Sequence, residues 1–92
     1  MRRLRWSMAA ADDLEGISDY LHLHHPPFAN SMIQRLYDSA KSLKQLPYVG
    51  RVSKKSGTRE LVLVPLPYLM IYSVDEKSVH ILRFLHAAQD RQ

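Results

Sequence analysis

The chain has 92 residues, 46% hydrophobic and 24% charged, so it holds material for one hydrophobic core and is too apolar to stay disordered. Thirteen Lys and Arg against nine Asp and Glu leave a net charge of +4, which points to an acidic partner, either a nucleic acid or an acidic protein segment. The lack of cysteine excludes disulfides, zinc–thiolate sites and a thiol nucleophile.

Arg3, Leu4, Arg5 and Trp6 alternate basic and apolar side chains, which predicts a short edge strand. No apolar stretch follows the basic start, because Asp12, Asp13 and Glu15 come too soon, so a leader is not expected and the protein is expected in the cytoplasm. Ser7 is a plausible N-cap, with Asp12 and Asp13 near the positive end of the helix dipole. Ala10, Leu14, Ile17 and Leu21 then recur at helical spacing to about His24, while Asp12, Glu15 and Asp19 occupy the solvated side. His25, Pro26 and Pro27 break this helix and form the turn of a helical hairpin. From Phe28 the stripe Met32, Leu36, Ala40 and Leu43, widened by Ile33 and Tyr37, predicts a second helix to about Leu46, stopped by Pro47.

The segment from Tyr48 to Gly57 has two glycines, the basic residues Arg51, Lys54 and Lys55, and no periodicity, so it reads as a loop. Three runs follow, Arg59 to Val64, Tyr68 to Val74 and Val79 to Leu85, separated by PLP and DEK turn signals. Their short connections require an antiparallel meander. Leu61 to Tyr72 is about half the ~20 residues of a membrane-spanning helix and is interrupted by Pro65 and Pro67, so no membrane span is expected.

The expected fold is α+β: one domain over residues 1–92, with an N-terminal strand and a two-helix hairpin packed on one face of a mainly antiparallel four-stranded sheet. In the last strand, strict alternation sets Val79, Ile81, Arg83 and Leu85 on one face and His80, Leu82, Phe84 and His86 on the other. Both faces are then apolar. Two helices cover one, which leaves the second for a partner or a dimer contact.

His22, His24 and His25 suggest a metal site only weakly; the plainer reading is a polar helix end, and no metal is expected. No catalytic triad, phosphate-binding loop or zinc-protease helix occurs. The remaining chemistry is carried by Arg51, Lys54, Lys55, Arg59, Tyr72, Arg83 and His86, which a folded meander could gather around a phosphodiester. Metal-free RNA cleavage needs a base, an acid and cations, and Arg59 and His86 are the leading candidates. Alternatively, Arg59 pairs with Glu60, Asp75 or a partner carboxylate, and His86 merely ends a strand.

The order of several segments resembles the RelE/ParE toxin superfamily over almost the whole chain: the strand to Trp6, AAADDLEGISDYL from Ala9, LKQLPYVGR from Leu43, GTREL from Gly57, PYLMIYSV from Pro67 and VHILRFLHAAQD from Val79. The resemblance implies a toxin neutralised by an antitoxin encoded beside it, whose C-terminal segment wraps the toxin. RelE-like members cut mRNA on the ribosome; ParE-like members inhibit DNA gyrase. RelE-like nucleases carry an arginine three positions before the middle-strand tyrosine, where this chain has Leu69 before Tyr72. They often carry basic or tyrosine residues after the last strand, where this chain has Ala87 and Ala88. Arg59 and His86 are common to both branches.

The resemblance therefore favours a ParE-like gyrase inhibitor that hydrolyses nothing and needs no cofactor, with Arg51, Arg59, Tyr72, Arg83, Phe84 and His86 in target or antitoxin contacts. The alternative is a ribosome-dependent endonuclease using Arg59, His86, Lys54, Lys55 and Tyr72. A third possibility is a decayed toxin kept as an antitoxin- or operator-binding subunit.

Overall fold

The computed structural model describes residues 1–55 and 57–87. Strand β1 (Arg3–Trp6) leads through Ser7 into helix α1 (Met8–His24). Ser7 caps that helix: its hydroxyl oxygen accepts from the Ala10 N–H at 2.9 Å and its O–H donates to the Leu82 carbonyl at 2.8 Å. Ala10, Leu14 and Leu21 are buried along one stripe, and Asp12, Glu15 and Asp19 are exposed on the other side. Asp12 and Asp13 lie in the second turn, beyond the first-turn reach of the dipole, and Asp13 is used elsewhere.

A short 3₁₀ turn, Pro26–Phe28, joins α1 to helix α2 (Ala29–Ser42), which buries Ala29, Leu36 and Ala40. The second helix stops four residues before the expected Leu46. Residues 43–46 instead tighten into a turn, with Leu43 N–H bonded to the Ala40 carbonyl and Lys44 N–H to that of Lys41, as a chain approaching Pro47 must leave the α region.

The sheet contains a short strand β2 (Arg51–Val52) inside the expected loop, then β3 (Arg59–Val62), β4 (Tyr68–Val74) and β5 (Ser78–His86). Its order is β1-β5-β4-β3-β2. β1 runs parallel to β5 at one edge and all other pairs are antiparallel, so the sheet is mixed and has five strands. The added strand arises because the Ser53 N–H reaches the Thr58 carbonyl and closes a small hairpin with β3.

The strict alternation expected for β5 fails at one place. Tyr72 faces Ile81 while Ile71 faces Arg83, so Leu82 is an extra residue in a β-bulge. The phase reverses there. Val79, Ile81 and Phe84 all point into the core under the helices, while Arg83 and Leu85 take the open face. One core results, with Leu14, Leu36, Leu43, Met70, Tyr72 and Ile81 among its members and Trp6 packed against it. The open face carries Val62, Leu69, Ile71 and Leu85 between Arg3 and Arg5 at one edge and Arg51 at the other. No helix among the described residues is long and apolar enough to cross a membrane.

Candidate functional site

The expected site residues separate into two groups at opposite ends of β4. At the first end, Tyr72 is fully buried and opposite Arg59 on β3. Its hydroxyl donates to the Pro47 carbonyl at 2.8 Å and accepts from the Gly50 N–H at 2.9 Å, which fastens the turn after α2 to the sheet. Burial raises the Tyr72 pKa, and the Gly50 N–H and the Arg59 charge partly oppose that rise. Gly50 is required by close approach: a Cβ there would stand 2.6 Å from the Tyr72 hydroxyl and 2.7 Å from the Glu60 carbonyl.

Arg59 completes the anchor. Its guanidinium donates to the Gly50 carbonyl at 2.7 Å and lies over the Tyr48 ring, 5.0 Å from the centroid. It uses neither carboxylate expected for it, because Glu60 pairs with Arg51 at 2.9 Å and Asp75 with His80 at 2.9 Å. Arg2 stands over the same ring at 5.5 Å and donates to the Tyr48 hydroxyl at 3.2 Å and the Asp75 carbonyl at 2.8 Å. Lys54 and Lys55 are exposed in the β2–β3 turn, beside Arg51, Glu60 and Ile71 on the open face and so across the sheet from Tyr72.

At the second end, β5 runs past the end of β1, and α1 covers its free edge. The Asp13 carboxylate grips Arg83 with both oxygens, at 2.6 and 3.0 Å, and also accepts from the Phe84 N–H at 3.0 Å. These bonds hold the Arg83 pKa above its ordinary value. They also close an edge that would otherwise offer unpaired amides. Beside them a groove of about 570 Å³ is lined by Ile17, Tyr20, Met32, Tyr68, Phe84 and His86. His86 meets Tyr68 edge-on at 5.8 Å. Burial, then the nearby Tyr20, raises the Tyr68 pKa.

Arg59 and Tyr72 are thus brought together, with Arg51 on the opposite face of the sheet; Arg83, Phe84 and His86 gather at the other end of β4, and the two groups stay apart. His86 is opposite Tyr68 and Arg59 opposite Tyr72, a step of four residues along β4, or roughly 13 Å at about 3.3 Å per residue. Tyr72 and Phe84, expected as contact residues, are core side chains here. Leu69, where the resemblance looks for arginine, is buried between Val62 and Leu85. The Ala87 N–H bonds to the Pro67 carbonyl at 2.8 Å, and Ala88 lies outside the described residues. His22 is engaged with the Ser18 carbonyl at 2.8 Å, and His24 packs on the Tyr20 ring at 4.5 Å.

Sequence reasoning missed Tyr48, Arg2 and Asp13. The nearest signal for the first was Gly50 in the PYVGR segment, since an isolated glycine marks close backbone approach. Arg2 and Asp13 meet partners about seventy residues away, and no local pattern reports that.

Comparison with known proteins agrees with this architecture. The family model for the ParE toxin of type II toxin–antitoxin systems matches residues 4–91. "Toxin RelE2" of Caulobacter vibrioides is 40% identical over 89 residues, 97% of this chain and 99% of the relative. "Putative toxin Y4kP" of Sinorhizobium fredii is 33% identical over 88 residues, covering 96% of this chain and 91% of the relative. Among solved structures, a chromosomal ParDE system from P. aeruginosa superposes with a TM-score of 0.84 at 31% identity, covering 94% of this chain and 96% of that one. The E. coli DinJ–YafQ complex, at 14% identity and a TM-score of 0.67, shares the fold. The chain belongs to the ParE toxin family of type II toxin–antitoxin systems, within the RelE/ParE superfamily.

Proposed function

We propose that this toxin arrests growth by binding DNA gyrase and that an antitoxin encoded beside it neutralises it. The observation that favours binding over cleavage is the separation of Arg59 from His86 along β4. A general acid and base must each come within about 2.6–3.2 Å of the proton they move, whereas the Arg59 guanidinium is turned onto the Gly50 carbonyl and His86 packs on the Tyr68 ring four residues away along β4. Tyr72 is inside the core with its hydroxyl engaged twice, and Leu69 supplies no cation.

The antitoxin rests on the similarity to the P. aeruginosa ParDE system and on an apolar sheet face, opposite α1 and α2, that no helix among the described residues covers. Purified toxin is expected to inhibit gyrase supercoiling and to lose that activity when mixed with the adjacent gene's product. Absence of inhibition at micromolar toxin, together with codon-dependent mRNA cuts in a translation extract, sinks the reading.

Ribosome-dependent mRNA cleavage stands second, favoured by the exposed Lys54–Lys55 turn and the exposed His86 at the end of β5. A His86→Ala variant of unchanged toxicity counts against it.

A further inference from the structure

The four arginines with described partners divide by what they touch. Arg51 and Arg83 spend their charge on the carboxylates of Glu60 and Asp13. Arg2 and Arg59 do not: their hydrogen bonds go to the Asp75, Gly50 and Tyr48 carbonyls and the Tyr48 hydroxyl, all neutral. Among the described residues neither has a carboxylate within ion-pair distance. Two positive charges are therefore held over one tyrosine ring, and no carboxylate among the described residues pairs with either. Their mutual repulsion is tolerated because the ring face and the carbonyl dipoles attract both.

The ring itself is presented outward. Tyr48 is 56% exposed, flanked by exposed Leu46 and Val49, on a turn that Tyr72 and Arg59 fasten to the sheet. An aromatic side chain beside arginine on an already ordered backbone is the composition of a binding hot spot, because little conformational freedom remains to be lost on contact. Both guanidinium groups stand over the ring, where a nucleobase would have to stack, and the neighbours Leu46 and Val49 are aliphatic. The site suits carboxylates set in an apolar protein surface better than it suits nucleic acid.

We propose that Tyr48, with the Arg2 and Arg59 guanidinium groups over its ring, is the contact by which this toxin engages an acidic patch on its protein target. The inference deepens the reading of this protein as a toxin that works by binding and rests on it. It assigns the target contact to the turn after α2, leaving the open sheet face and the α1 groove to other partners.

The test uses the full chain carrying Tyr48→Ala, Tyr48→Phe, Arg2→Gln or Arg2→Glu; Tyr48 is exposed, Arg2 is half-buried, and both lie outside the core. Four properties are measured: growth arrest on induction, gyrase supercoiling, affinity for the adjacent gene's product, and the thermal midpoint. Tyr48→Ala and Arg2→Glu are expected to need about tenfold or more toxin for equal gyrase inhibition and to lose growth arrest, with antitoxin affinity and midpoint close to wild type. Tyr48→Phe is expected to stay active, and Arg2→Gln to fall between.

If the wild type leaves gyrase untouched, the gyrase reading falls while growth arrest still judges this site: its loss in Tyr48→Ala upholds the proposal and its retention overturns it. An equal loss of antitoxin affinity overturns it in favour of an antitoxin contact. So does a parallel loss of binding to a short labelled RNA or DNA duplex, which would make the partner a nucleic acid. If Tyr48→Ala misfolds, Arg2→Glu at full potency overturns the proposal by itself.

Discussion

The two ends of β4 are built from the same kinds of residue and behave oppositely. At the Tyr68 end, Arg83 is locked in a bidentate pair with Asp13, and a basic side chain becomes a clasp between helix and strand. At the Tyr72 end, Arg59 and Arg2 are held by neutral oxygens and a ring, and their charge stays available. A formal charge of +4 therefore says little about where this protein attracts anions; the nature of each cation's partner decides that. The clasp serves stability, and the loop end is the contact proposed for recognition.

The contrast breaks most sharply at Gly50. Gly50→Ala drives a methyl group into the Tyr72 hydroxyl and the Glu60 carbonyl, and is expected to cost about 3 kcal/mol. Chemical denaturation measures the loss, and growth arrest should fall with it as the Tyr48 turn shifts.

Tyr72→Phe keeps the ring but strands the Gly50 N–H and the Pro47 carbonyl, at an expected cost of about 2 kcal/mol. By roughly 4–8 °C per kcal/mol in a domain of this size, the thermal midpoint should drop about 10 °C. The same variant should change alkaline behaviour. Tyr72 has a raised pKa when folded, so its contribution is whole below the unfolded value near ~10 and is lost as pH rises through the folded one. The wild type should therefore weaken above about pH 10 more steeply than Tyr72→Phe.

Asp13→Asn tests the other end. It removes the charge from a pair in which Arg83 is half exposed, so about 1 kcal/mol is expected, with antitoxin and target binding unchanged. Equal loss of growth arrest in this variant and in Tyr48→Ala would erase the distinction between the two ends.

The smallest effect belongs to the β4–β5 turn. The His80 side chain, then the Lys77 and Ser78 amides, hold the Asp75 pKa at about 2. A carboxylate depressed on folding supports the fold above its unfolded value of about 3.9, and that support goes as pH falls through about 2. Acid titration should show Asp75→Asn losing less stability than wild type between pH ~4 and ~2.

Much of the fold was legible because its signals are local. Ser7, the stripe from Ala10 to Leu21 and the Pro26–Pro27 break report on residues within one or two helical turns, and each stands where periodicity and capping predict. The meander was legible for the same reason, through short turns between β-rich runs. Two features escaped. β2 depends on a hairpin bond between Ser53 and Thr58, and the bulge at Leu82 depends on how β5 pairs with β4, so neither leaves a mark in composition. The bulge mattered for the site as well: it turns Phe84 into the core and sends Arg83 to Asp13.

The sequence by itself determined the class, because helix stripes, strand runs and the ordered motifs from LKQLPYVGR to VHILRFLHAAQD are written in neighbouring residues. It also named Arg59, Tyr72, Arg83 and His86 as notable. Only the tertiary structure decided what each of them touches, since those partners lie far away in the chain. That choice of partner, a carboxylate for Arg83 and neutral oxygens for Arg59, sets whether a charge is consumed within the fold or remains to meet another molecule.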